Sequence, residues 1–225
     1  MFVKVCGITC LDDALMVARA GASAVGLNFY SSSPRCVDIA TAREIVLSLP
    51  PFVDAVGVFV NSDIEELRSI AAEVGLRTVQ LHGNCSPELV FGLREFSVIP
   101  AFPLAEDASA TAVLDLLTAC EKHGRLPNAV LVDAHRPGMF GGTGQVAPWD
   151  LARSLVLRSP VPVVLAGGLT SKNVAAAVRI VRPWGVDVAS GVEVAPGRKE
   201  PYKVNTFIQA ARQAASTHGR GNIRS

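Results

Sequence analysis

Short apolar runs rich in β-branched residues alternate with helix-patterned stretches along the whole 225-residue chain, and that alternation limits the fold more than any other feature. Strand-like runs fall at Phe2–Cys6, Ala24–Phe29, Ala55–Val60, Thr78–Leu81, Val98–Phe102, Ala129–Asp133, Val161–Ala166 and Val186–Ala189. Between them lie helical patterns at Leu11–Ala20, Ile39–Leu49, Ser62–Val74, Ser86–Glu95, Ala108–His123, a short one at Pro148–Leu155, Ser171–Val181 and Tyr202–Ala215. Ser62 with Glu65 three residues on predicts an N-cap at Ser62, and Gly75 predicts the stop. Strands separated by helices cannot pair as hairpins, so they run parallel with right-handed crossovers. Eight such units in this length fit an α/β chain folded as a single-domain (β/α)8 TIM barrel. The rival is an open doubly wound sheet, which is disfavoured because no G-x-G-x-x-G follows the first strand and no run reads as an edge strand. Residues 1–216 are expected to form the barrel and 217–225 a frayed tail.

Charge and cysteine usage narrow the function classes. Net charge is +1 with both signs scattered, so no basic stripe points to nucleic acid or a membrane surface. The five cysteines contain no C-x-x-C pair, which argues against zinc or redox pairing and for free thiols in a reducing compartment. With no leader pattern and no long apolar run, a cytoplasmic location is expected.

A barrel opens its strand-to-helix loops on one face, and the reactive side chains gather at those strand ends. Phe2, Lys4 and Cys6 share one face of the first strand, which puts a thiol at its carboxyl end, before Gly7. The sixth strand ends in Asp133, so thiol and carboxylate stand across the mouth as a potential base and acid. The plainer readings are a buried apolar cysteine and a loop-pinning aspartate. Lys4 lies one layer below Cys6, where it would neutralise Asp187 and favour the thiolate. Arg35, after Pro34 in the long second loop, suits bidentate capture of a carboxylate. Gln80 and His82 share a face of the fourth strand and would shape the pocket.

Three glycine-bearing loops follow strands six, seven and eight: Gly142-Thr143-Gly144, Gly167-Gly168 and Ser190-Gly191. Successive backbone amides in such loops cradle anions, and this sector of a barrel is where a phosphate sits.

The motifs K-V-C-G-I-T, F-Y-S-S-S-P-R-C-V, V-G-V-F-V-N, V-Q-L-H-G, L-V-D-A, G-G-T-G, L-A-G-G-L and D-V-A-S-G-V-E, in that order, resemble the phosphoribosylanthranilate isomerase family. The resemblance runs from Val3 to Phe207. It implies a (β/α)8 enzyme of tryptophan biosynthesis, an intramolecular oxidoreductase that uses neither metal nor cofactor. The implied reaction is the Amadori rearrangement of N-(5-phosphoribosyl)anthranilate to 1-(2-carboxyphenylamino)-1-deoxyribulose 5-phosphate. It further implies Cys6 as general base, Asp133 as general acid and Arg35 as holder of the anthranilate carboxylate. Gln80, His82 and Asp187 would then contact substrate, and the three glycine loops would hold its phosphate. Cys36 and Ser31–Ser33 depart from the family pattern. The expected partner is a small sugar phosphate, with the chain a monomer or homodimer. Alternatives are a sister histidine-pathway or dual-specificity isomerase, which a carboxylate at the Cys6 position would favour, and a non-catalytic phosphate binder.

Overall fold

Each of the eight apolar runs forms a strand, because an all-parallel sheet covered by helices must be apolar on both faces. In a computed structural model that describes residues 1–104, 107–134 and 149–216, the strands are β1 (Phe2–Cys6), β2 (Ala24–Asn28), β3 (Asp54–Val60), β4 (Thr78–His82), β5 (Ser97–Pro103), β6 (Val130–Asp133), β7 (Val163–Ala166) and β8 (Gly185–Val188). They pair in sequence order, all parallel, and β1 pairs with β8 to close the barrel. The helices outside it are α1 (Leu11–Arg19), α2 (Ile39–Ser48), α3 (Ile64–Val74), α4 (Pro87–Gly92), α5 (Asp107–Lys122), α6 (Trp149–Arg158), α7 (Val174–Val181) and α8 (Pro201–Ser216). Among the described residues no helix is long and apolar enough to cross a membrane.

Local chemistry sets several boundaries differently from expectation. The N-cap of α3 is Asp63 rather than Ser62: its carboxylate accepts from the amides of Glu65 and Glu66, so the predicted capping box does not form. Ser86 does cap α4, accepting from the Leu89 amide, but that helix stops at Gly92. α7 begins only at Val174, because Asn173 folds back to accept from the Thr170 amide and donate to the Gly168 carbonyl. Two elements were not anticipated at all: a 3-10 turn at Ser190–Val192 and an antiparallel hairpin, β9 (Glu193–Ala195) with β10 (Arg198–Lys199). The expected tail, residues 217–225, lies outside the described residues.

Two apolar regions hold the molecule together. The larger fills the shell between strands and helices, with Val3, Val5, Leu27, Val79, Leu165, Val186 and Phe207 all buried. The smaller sits inside the barrel and comes from one side only: Ala101, Leu131, Val164, Ala166 and Ile99. Across from it the lumen is polar, with Lys4, Thr78, Gln80 and Asp187 buried. Buried charges persist only when paired. The β1–β8 register does this by setting Lys4 beside Asp187, with Lys4 Nζ 3.0 Å from Asp187 Oδ2.

Candidate active site

The carboxyl end of β1 carries Cys6, packed against β2 where no side chain fits. A Cβ on Gly26 would lie 2.6 Å from Cys6 Sγ, so glycine is required for the thiol to stand there. Burial pushes the Cys6 thiol up from its ordinary value, and the neighbouring Asp187 adds to the rise. Lys4 and Lys199 pull it down, but less. The expectation that Lys4 favours the thiolate thus holds for its own contribution, while desolvation decides the net direction. The opposite effect is felt at Lys4, where burial lowers the ammonium but Asp187 and Cys6 together raise it above the usual value.

Gln80 and His82 stand on one face of β4, and their side chains meet, Gln80 Nε2 being 2.5 Å from His82 Nε2. Burial, then the Lys4 charge, depress the imidazole, while Asp187 and Asp133 oppose them. A neutral ring accepts the Gln80 amide at Nε2, which leaves its proton on Nδ1. His82 therefore senses charges from β1, β6 and β8 at once, which places Lys4, Asp133 and Asp187 around a common lumen. Asp133 ends β6 in register with Ala166 of β7 and Pro103 of β5. Among the described residues, two buried acceptors in this lumen, Gln80 Oε1 and Asp187 Oδ1, have no hydrogen-bond partner.

Arg35 is held from several sides. Asn28, the last residue of β2, donates to Ser33 Oγ, and Ser33 Oγ also accepts from the Arg35 amide, so the serine loop is pinned to the strand end. The guanidinium is not unpartnered, as a lone carboxylate trap would be. Nε lies 2.9 Å and 3.2 Å from the two Glu193 carboxylate oxygens, and Nη2 lies 2.7 Å from Oε2. Glu193 Oε1 also accepts from Lys199 Nζ at 2.6 Å and from the Gly197 amide at 3.3 Å. Lys199 Nζ in turn donates to the Cys6 carbonyl at 2.6 Å. Burial alone would lift the Glu193 carboxyl, yet hydrogen bonds from Arg35 and Lys199 hold it below the usual range. Two cations share one carboxylate here, leaving a net positive charge beside the mouth.

Glu193 and Lys199 escaped sequence reasoning, because E-V-A-P-G-R-K has no apolar run to announce a strand. Pro196-Gly197 was its one turn signal.

Of the three glycine loops, Gly142, Thr143 and Gly144 lie outside the described residues. The other two touch. A Cβ on Gly191 would collide with the Leu169 carbonyl oxygen, so the loops after β7 and β8 approach closely only because residue 191 is glycine. Among the described residues, the amides of Gly167, Gly168, Ser190 and Gly191 find no hydrogen-bond acceptor. Backbone amides without a protein acceptor on adjoining loops are the kind of donor that receives an anion.

Comparison with known proteins points the same way. The family model described as N-(5'phosphoribosyl)anthranilate (PRA) isomerase matches residues 3–210. An N-(5'-phosphoribosyl)anthranilate isomerase of Pelobacter propionicus is 42% identical over 214 residues, 95% of this chain and 97% of that one. The crystal structure of the Thermotoga maritima phosphoribosyl anthranilate isomerase superposes with a TM-score of 0.83 at 38% identity, covering 95% of this chain and 99% of that one. A further isomerase structure, in complex with reduced 1-(o-carboxyphenylamino)-1-deoxyribulose 5-phosphate, gives a TM-score of 0.81 at 37% identity, covering 95% and 99%.

Proposed function

The chain belongs to the N-(5'-phosphoribosyl)anthranilate isomerase family, and from that premise we propose that it isomerises phosphoribosylanthranilate by proton transfers in which Asp133 is the acid and Cys6 the base. The observation that carries the assignment of roles is the common lumen. A thiol flanked by two ammonium groups stands on β1, and a carboxyl side chain stands on β6.

The reaction divides into ring opening and enolamine-to-ketone rearrangement. Asp133 in its protonated form gives its proton to the furanose ring oxygen, the C1–O bond breaks, and the nitrogen lone pair forms the Schiff base. Cys6 as thiolate then removes the proton from C2, and that electron pair becomes the enolamine double bond. The Cys6 thiol then returns its proton to C1 and the Asp133 carboxylate takes the C2 hydroxyl proton, which completes the ketone and restores both groups. The substrate gains and loses no net electrons, so an acid and a base are sufficient for the rearrangement. Acid neutral and base ionised is the reverse of reference pKa order, roughly 4 for an aspartate and 8.5 for a thiol. Because burial raises Cys6 further, the thiolate in the free protein is a minor form at neutral pH.

The anionic ends of the substrate have matching sites. The orphan amides of Gly167, Gly168, Ser190 and Gly191, with Gly142, Thr143 and Gly144 from the preceding loop, are assigned to its phosphate, and Arg35 to its carboxylate. Gln80, His82 and Asp187 line the sugar, and Asp187 Oδ1 and Gln80 Oε1 are acceptors for its hydroxyls. Such a reaction fits a cytoplasmic biosynthetic enzyme.

The test is the fall in anthranilate-derived fluorescence when the protein meets freshly formed phosphoribosylanthranilate. Decay far above the spontaneous rate, with carboxyphenylamino-deoxyribulose phosphate as product, is expected. Decay no faster than the buffer control overturns the reading.

A further inference from the structure

Nothing in the proton-transfer chemistry uses Glu193, although its side chain is 4% exposed and accepts from Arg35, Lys199 and the Gly197 amide. A guanidinium has two forked edges, one side-on (Nε with Nη2) and one end-on (Nη1 with the second hydrogen of Nη2). Glu193 takes the side-on edge of Arg35. Among the described residues, the end-on edge meets no acceptor.

The stem of Arg35 is confined as well. It lies over Gly7, whose φ of +75° and missing side chain make the room: a Cβ there would stand 2.5 Å from Arg35 Cδ. Glu193 is itself fixed, by Lys199 and by the Gly197 amide across its hairpin. The hairpin is tied to β1 and α1 in turn. Thr9 Oγ1 donates to the Gly197 carbonyl, the Lys199 amide donates to Asp13, and Lys199 Nζ donates to the Cys6 carbonyl. One small hairpin thus sets where the arginine and the thiol-bearing strand end stand relative to each other.

We propose that Glu193 is a positioning residue for carboxylate recognition: it grips the side-on edge of Arg35 and presents the end-on edge to the substrate's aromatic carboxylate. An arginine holding two carboxylates is stable here because Lys199 supplies the second positive charge. Pre-orientation matters energetically. An arginine on a loop spends rotamer entropy on each ligand it meets, and a built-in partner meets that cost during folding. The inference rests on the proposed isomerase reading and assigns to that site the feature that selects a carboxylated arylamine over a plain one.

Two phosphorylated probes test it: the reduced product, 1-(2-carboxyphenylamino)-1-deoxyribitol 5-phosphate, and its phenylamino counterpart without the carboxylate. Wild-type protein should bind the carboxylated probe more tightly. Glu193→Gln should weaken that probe about tenfold and leave the other within about twofold, since only the carboxylate meets Arg35. In an Arg35→Met background, Glu193→Gln should add nothing further. Because the single variant leaves Lys199 buried without its counter-ion, Glu193→Gln/Lys199→Met, which removes both charges, should show the same selectivity loss with its melting temperature retained. Equal weakening of both probes, no weakening of either, or a full additional loss beyond Arg35→Met would overturn the positioning role. Wild-type protein that binds neither probe would instead overturn the isomerase reading, and this role with it.

Discussion

Burial and two ammonium groups pull the Cys6 thiol in opposite directions, and burial prevails. The consequence is a pH profile. A raised thiol pKa keeps the base protonated at neutral pH, so kcat/KM should climb as pH rises through the alkaline range toward ionisation of Cys6. A profile flat from neutral pH upward would mean that Cys6 is already ionised or is not the base. The Glu193 carboxyl titrates the other way. Its folded pKa is depressed, so the stability it contributes is present above the unfolded value and is lost as pH falls through the folded one. Acid unfolding of Glu193→Gln should therefore depend less on pH below about 4.5 than that of the wild type.

Lys4 gives the sharpest stability prediction at this scale. The residue is 1% exposed, and its ammonium lies 3.0 Å from the Asp187 carboxylate. Lys4→Met strands the carboxylate in the lumen and should cost about 3–5 kcal/mol in chemical denaturation. Lys4→Met/Asp187→Leu should recover most of that loss, because an apolar pair of similar volume needs no counter-charge. A single variant as stable as wild type would show that Asp187 finds another partner.

Among the elements, the strands were the most legible part of the sequence. Strands buried on both faces read as short, mostly apolar runs rich in β-branched residues, and V-K-V-C or V-L-V-D leaves little other reading. Their ends moved by a residue or two where proline or glycine intervenes, as in β7, which starts after Pro162. The Lys4–Asp187 contact was legible too, since strand alternation fixes which side chains enter the lumen. What was hidden depends on contacts far apart in sequence. The Arg35–Glu193 pair spans 158 positions and Lys199–Cys6 spans 193, and no local pattern encodes either. The Ser62 expectation failed for a smaller reason: two good caps are adjacent, and only the direction of chain entry chooses Asp63. The glycine loops also act at this scale. Gly191→Val would force the turn after β8 off the Leu169 carbonyl and spread the orphan amides. That variant should lose binding of a phosphorylated product analogue while an analogue without phosphate is unaffected. Equal losses for both would deny these amides a phosphate role.

For the molecule as a whole, the barrel divides its labour between faces. The apolar shell beneath the helices carries stability, while the lumen is apolar on the β5–β7 side and charged beside β1 and β8. This asymmetry gathers buried charge on one wall of the lumen and leaves the shell between strands and helices apolar. A saturating phosphorylated product analogue binds only the folded chain, and at a hundredfold excess over Kd contributes about 2.7 kcal/mol. In a protein of this length that corresponds to a Tm rise of roughly 5–10 °C.

The central claim is that Asp133 as acid and Cys6 as base carry the proton transfers, and it is tested most directly by phosphoribosylanthranilate turnover in Cys6→Ala and Asp133→Asn. Each variant should fold, bind the reduced product analogue within a few-fold of wild type, and lose about 10²–10⁴ in kcat, the usual worth of a positioned acid or base. Near-normal turnover in either variant would contradict the account.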